Sequence, residues 1–335
     1  MAGTLTRRNF LAFDFGDRRG GTDAGHWVRV HRTAMACRFE VMLASDDAAD
    51  MAAAREALDE ADEIESFLTV FRDSSEVSDV NRRAAREAVP LTAALFALVQ
   101  RAAALHAATD GAFDITSTPL SRCWGFLRRE GRLPDAREIG SARELVGMPL
   151  VALDEPSRTI RFAREGMELN FGAIGKGYAL DRMGALLRAR GASRALLSAG
   201  SSSVLAVGGR GRGWPVDLRP QRASRRVGRL WLRNAAVGTS GAGEQFVEIN
   251  GRHYGHVIDP RTGQPADGVL GASVVTRDAA TADALSTAFL IGGPELARRY
   301  CDRQGDTLAV LVVDEPGEPT QVFGRCGGAI LEMLT

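Results

Sequence analysis

The segment Asn170-Phe171-Gly172-Ala173-Ile174-Gly175-Lys176-Gly177-Tyr178-Ala179-Leu180-Asp181 sets three glycines and one lysine where a loop runs into a helix. Glycines let a backbone come close to a phosphate, a helix start offers unpaired N–H groups and a positive dipole end, and Lys176 adds a mobile point charge. The spacing is neither that of a P-loop, where Ser or Thr follows the lysine, nor that of the dinucleotide fingerprint. A tight strand-to-helix turn with a solvated lysine would use the same residues. Further along, Thr281 to Leu290 is built of good helix formers and sets Asp283 and Thr287 four residues apart on one face. Two hard oxygen donors in an apolar helix suit Mg²⁺, which takes few protein ligands; a helix-start carboxylate and a threonine bonded one turn back are the bland alternative. His253 to Gly263 holds His256 and Asp259 close together at a strand end and a Pro-containing turn, an arrangement open to proton transfer as well as to a plain structural histidine.

These residues need elements to hold them. Val28 to Leu43 alternates in part and predicts paired strands, Asp46 to Thr69 a long amphipathic helix, and Thr92 to Thr109 a buried helix ended by Gly111 at positive φ. A helix from about Gly177 to Arg190 is closed by Gly191. Short strand-like runs follow at 195–197, 203–207, 214–218, 230–232, 246–249, 256–258 and 272–276, split by Gly, Pro and Asn. A helix over Pro294–Gln304 and a strand over Thr307–Val313 close the pattern. Helices early and an antiparallel or mixed sheet late make an α+β fold.

A chain of 335 residues with 45% hydrophobic content can bury a large core. Lys plus Arg and Asp plus Glu are equal at 42, so no net field recruits nucleic acid or an anionic membrane. The basic run Arg219 to Arg229 lacks aromatics and is expected as a solvated hairpin or loop. Cys37, Cys123, Cys301 and Cys326 lack zinc spacing and are expected as free thiols. Residues 1–24, rich in Gly and charge, are expected to be disordered. Thr6-Arg7-Arg8-Asn9-Phe10-Leu11 looks like an export start, but Asp14, Asp17, Arg18 and Arg19 interrupt the apolar stretch it needs. No apolar run is long enough to span a bilayer, and a cytoplasmic location is expected.

Taken in order, these segments resemble the ApbE family of FAD:protein FMN transferases from about Met35 to about Gly293. Two more blocks carry the resemblance, Asp73 to Asn81 (DSSEVSDVN) and Thr109 to Thr116 (TDGAFDIT), the latter followed by Pro119-Leu120 and Trp124-Gly125-Phe126. The resemblance implies one flavin transferase domain over residues 25–335. Its reaction would be Mg²⁺-dependent transfer of FMN from FAD to a Ser or Thr hydroxyl in the target motif of an acceptor protein, with release of AMP. By position, Ala173, Asp283, Ser286 and Thr287 would hold Mg²⁺, and Lys176 would sit on the flavin nucleotide. Met35, Phe71, Ala112, Phe113, Asp114, Asn170 and Val257 would contact FAD. His256 would move the proton, oriented by Asp259. Family members that are exported or lipid-anchored imply a periplasmic or membrane-anchored place if the true start lies upstream. An FAD pyrophosphatase and a flavin binder without turnover fit the same pattern. The chain departs from the family at Ala36-Cys37 (usually Gly-Thr), Phe71 (often Tyr), Asn170 (often Asp) and Ser201-Ser202 (usually Gly then Asp or Asn), all where the nucleotide should lie.

Overall fold

The computed structural model describes residues 11–12, 27–44, 48–128, 130–209, 211–219, 227–241, 246–249, 252–316 and 319–334. In chain order the first elements are β1 (Leu11–Ala12), β2 (Trp27–Ala34), β3 (Cys37–Ala44), α1 (Ala48–Leu68), α2 (Glu76–Arg83), β4 (Val89–Pro90), α3 (Ala93–Ala108), α4 (Thr118–Cys123) and α5 (Ala136–Arg143). Next come β5 (Val151–Asp154), β6 (Thr159–Phe162), α6 (Gly175–Ala189), β7 (Ala195–Ala199), β8 (Ser203–Val207), β9 (Trp214–Leu218), β10 (Gly228–Leu232) and β11 (Ala235–Gly241). The chain ends in β12 (Phe246–Ile249), β13 (Arg252–Gly255), β14 (Val269–Thr276), α7 (Ala279–Gln304), β15 (Thr307–Val313), β16 (Thr320–Arg325) and β17 (Ala329–Met333).

An antiparallel eight-stranded sheet, ordered β16-β15-β14-β11-β8-β7-β3-β2, forms the middle layer. Its inner strands are buried on both faces because side chains alternate between two cores. In β8, Leu205 and Val207 join a core shared with α1, α6 and α7, whereas Val204 and Ala206 pack with Trp214, Val216, Leu230 and Leu232 of a second sheet, β1-β9-β10-β17. Helices, large sheet and small sheet thus stack in three layers, the α+β architecture expected, although the N-terminal hairpin β2–β3 belongs to the same sheet as the late strands.

Several local expectations change. The strand expected at 256–258 ends earlier, in β13, and Ile258 makes only an isolated bridge to Pro265. The two expected C-terminal helices form one element, α7, broken at Gly293 (φ 68, ψ −166) because Pro294 lacks an N–H and disfavours helical geometry before it. The short helices α2, α4 and α5 and the last two strands gave no strong periodicity. Of the N-terminal segment only Leu11–Ala12 is described, paired with β9; the rest lies outside the described residues, as do 220–226 of the basic run. Within that run Arg229 belongs to β10 and is paired with Asp217 at 2.7 Å. None of the four cysteines forms a disulfide, and Cys301 and Cys326 are buried. Among the described residues no helix is long and apolar enough to cross a membrane.

Strands β2 and β3 meet in a two-residue turn whose central residues, Met35 (φ 47) and Ala36 (φ 55), both have positive φ. Such a turn matches the twist of a hairpin and favours glycine. Left-handed geometry costs a non-glycine residue about 1–2 kcal/mol, while glycine's freedom in the unfolded chain takes back about 0.4–1 kcal/mol. Ala36→Gly is therefore expected to stabilise the protein by roughly 0.5–1 kcal/mol. Thermal unfolding tests this, and a lower midpoint would show the turn to be unstrained.

Candidate functional site

The first cavity, about 280 Å³, opens where α4, the start of α6, the end of β11, the turn after β13 and α7 converge. Its wall includes Asp114, Asn170, Lys176, His256, Asp283 and Thr287. A second cavity of about 230 Å³ is lined by Met35, Glu65, Phe71, Phe171 and Gly175, and it shares Asn170, Gly172 and Lys176 with the first. Each alone is smaller than the ~300–1,000 Å³ of small-molecule sites. The two adjoin at Lys176, and taken together their volume falls within that range.

The glycine loop works differently from the expectation. None of Gly172, Gly175 and Gly177 has positive φ. Asn170 opens the loop by accepting the Gly172 N–H on Oδ1 at 2.7 Å. The Gly175 N–H goes to the Phe171 carbonyl at 2.6 Å and the Gly177 N–H to Asp283 Oδ2 at 3.1 Å, so two helix-start amides are committed within the protein. A methyl group at Gly175 would meet nothing nearer than Leu68 Cδ1 at 3.5 Å, but one at Gly177 would lie 2.1 Å from the Ala279 carbonyl oxygen. Gly177 is required for the close approach of α6 to α7 rather than for a ligand. Gly238 of β11 plays the same part on another side of α7, facing the Ala282 carbonyl at 2.4 Å.

Asp283 is 3% exposed and well engaged: Oδ1 accepts from Ser203 Oγ at 3.0 Å, and Oδ2 lies 3.7 Å from Lys176 Nζ. Lys176 Nζ also donates to the Gly172 carbonyl at 3.4 Å. Thr287 Oγ1 lies 3.1 Å from Ser240 Oγ, which contacts Ser286 Oγ at 2.8 Å. Ser286 itself is fully buried, bonds the Asp283 carbonyl at 2.8 Å, and does not line the cavity, unlike Ala173, Asp283 and Thr287. The donor set is a single carboxylate with hydroxyl and carbonyl oxygens. Among the described residues no three His, Cys, Asp or Glu side chains converge. That chemistry fits Mg²⁺, which is commonly held by one or two carboxylates and completed by water and phosphate oxygens, and does not fit a transition metal.

Of the expected flavin contacts, Ala112, Phe113, Asp114 and Val257 line the first cavity, Met35 and Phe71 the second, and Asn170 both. Phe71 is 76% exposed, a large flat ring at the mouth. Asp114 is tied into the fold: it accepts from Thr116 N at 2.7 Å and Thr116 Oγ1 at 2.6 Å, and it pairs with His106 Nδ1 at 3.1 Å. Burial works against charging His106, yet its bond to Asp114, the charge of that carboxylate and the Phe113 carbonyl leave its pKa above the ordinary value. The Val257 carbonyl already accepts from Ala266 N at 2.8 Å. Asp259, expected to orient His256, instead closes its own turn, giving both oxygens to the Arg261 side chain at 2.8 and 2.9 Å.

Two sequence blocks turn out to brace the site. Asn81 bonds both the N–H (2.7 Å) and the carbonyl (3.0 Å) of Leu169, just ahead of Asn170. Trp124 donates Nε1 to the Gly263 carbonyl at 2.9 Å and packs on Tyr254 at 5.5 Å, fixing the turn that carries His256. Sequence reasoning missed Ser203 and Ser240, for which no signal existed. It also missed a signal that was present: Lys176 is the only lysine in a chain whose other 41 basic residues are arginines.

The sequence pattern described as the ApbE family matches residues 35–312. A protein of Klebsiella pneumoniae named FAD:protein FMN transferase is 32% identical over 251 residues, covering 74% of this chain and 78% of its own length. Among solved structures, the ApbE protein of Thermotoga maritima superposes with a TM-score of 0.81 at 26% identity, covering 90% of this chain and 97% of its own. The apo form of the Pseudomonas stutzeri flavinyl transferase ApbE gives 0.78 at 28% identity, covering 89% and 95%.

Proposed function

This chain belongs to the ApbE family, and from that premise we propose that it is an enzyme transferring FMN from FAD to a Ser or Thr hydroxyl of an acceptor protein. The observation that carries the reading is the meeting of two cavities at the single lysine, beside a buried carboxylate with spare oxygen donors around it. In this reading residues 25–335 act as one flavin transferase domain. Phe71 and Met35 offer apolar surface to one part of the dinucleotide and the wall from Ala112 to Asp114 to another, with Asn170 at their junction. Lys176 holds the pyrophosphate by charge.

Asp283, Thr287 and the Ala173 carbonyl would hold Mg²⁺, with Ser286 supporting Asp283 from behind. When bound, the ion would neutralise charge on the phosphate oxygens. The acceptor oxygen bonds to the FMN phosphorus as the bond from phosphorus to the bridging oxygen breaks, and AMP leaves with that oxygen. His256 takes the acceptor's proton. Lys176 lowers the cost of negative charge building up on the departing phosphate.

Lys176→Ala is expected to weaken FAD binding by about ten- to a hundredfold, since a charged hydrogen bond to phosphate contributes about 1.5–3 kcal/mol. Flavin fluorescence titrations in Mg²⁺ buffer compare the two proteins. Equal affinities would mean that the lysine serves only the turn and the Asp283 pair.

A further inference from the structure

Helices α6 and α7 exchange carboxylates at their starts. The Gly177 N–H, in the first turn of α6, donates to Asp283 of α7 at 3.1 Å. Four residues after Gly177, Asp181 of α6 accepts the Ala279 and Ala280 N–H groups, which open α7, at 2.7 and 3.0 Å. Ala279 and Asp283 are likewise four residues apart, so each helix lends a carboxylate to the other's unpaired first-turn amides. The N-cap Asp278 takes the remaining Thr281 N–H at 2.8 Å. Arg101 of α3 supplies the counter-charge: it pairs with Asp278, reaches Thr281 Oγ1 at 2.6 Å and lies 3.9 Å from Asp181. With no side chain on Gly177, the two helices touch backbone to backbone between these bonds.

We propose that Asp181 is a positioning residue that holds the start of α7 against α6 and thereby sets where the Asp283 carboxylate stands relative to Lys176. Asp181 lines neither cavity, and its two oxygens are taken by the α7 amides. It acts through α7: loss of the two amide bonds frees the first turn of the helix, and Asp283 lies at the end of that turn. The functional consequence rests on the reading of Asp283 as a metal ligand; the mechanical one does not.

Asp181→Asn separates the two. An asparagine keeps one acceptor oxygen and turns an NH₂ group toward the other amide, so the pair of bonds cannot be remade. In the full-length protein without metal, amide hydrogen exchange is expected to speed up at Ala279 and Ala280 and, through Asp283, at Gly177 by at least about tenfold, with Leu205 in β8 unchanged. Faster exchange at Ala279 and Ala280 with Gly177 unaffected would make Asp181 a cap of α7 alone and overturn the proposal. A calorimetric titration of Mg²⁺ alone is expected to show affinity lowered about 10- to 100-fold, the usual range for residues behind a metal ligand. Unchanged Mg²⁺ affinity in a folded variant contradicts positioning. If the wild type takes up no Mg²⁺, the metal reading fails, and the exchange at Gly177 still decides the role of Asp181. Should Asp181→Asn not fold, Asp181→Glu, which keeps the charge but displaces both oxygens, is read by the same two measurements.

Discussion

Gly177→Ala should lose at least about 3 kcal/mol of stability and accumulate poorly, while Gly175→Ala, two residues away, stays within about 1 kcal/mol of the wild type. The added methyl at position 177 would sit 2.1 Å from the Ala279 carbonyl oxygen and 2.7 Å from the Ala280 Cα. Those atoms are backbone, already held by Asp181 and by Gly238 on another side of α7, so relief requires the two helices to part. Parting them breaks the Gly177–Asp283 bond and opens a core built on alanines at 279, 280, 282 and 284. Overpacking usually costs about 1–3 kcal/mol, and a backbone contact that no rotamer can relieve belongs at or above that range. A typical domain holds about 5–15 kcal/mol in total, so the loss is severe. Urea unfolding of the two variants makes the comparison; matching midpoints would remove the close approach from the account.

Asp283→Asn is expected to lower Mg²⁺-dependent AMP release from FAD by at least about 10²-fold, with FAD binding affected much less because Lys176 remains. The change to asparagine matters here. Asp283's oxygens accept the Gly177 N–H and the Ser203 hydroxyl, and Asp283→Ala would leave two buried donors unpaired at about 1–3 kcal/mol each. Asparagine keeps the shape and one acceptor, so turnover can be separated from folding by recording thermal unfolding on the same samples. A folded Asp283→Asn protein with wild-type turnover means that the carboxylate's work is structural.

Much of the fold was legible because its signals are local. The stripes of α1 and α3, the positive-φ glycines that end α3 and α6, and the apolar runs of β7, β8, β14 and β15 each depend on neighbouring residues. The site was legible only as a set of residue types. That Lys176, Asn170 and Gly172 stand between two cavities, or that Ser286 lies behind Asp283 rather than on the wall, depends on which side of α7 faces which neighbour. Long-range contacts decide that, and one sequence does not encode them as a pattern. The glycines mislead for the same reason. Gly177 reads as a phosphate cradle until Ala279, 102 positions on, is seen against it. Asp259 reads as a partner for His256 until Arg261 is found on both its oxygens.

The central claim is that flavin passes to a protein, and the most direct test follows where it goes. The full-length enzyme is incubated with FAD, Mg²⁺ and protein extract from its own source, and AMP is quantified beside in-gel flavin fluorescence after denaturation. The account predicts AMP release in step with a fluorescent protein band that survives denaturation, and neither product when Mg²⁺ is chelated. Release of AMP with all the flavin recovered as free FMN would contradict it and identify a pyrophosphatase.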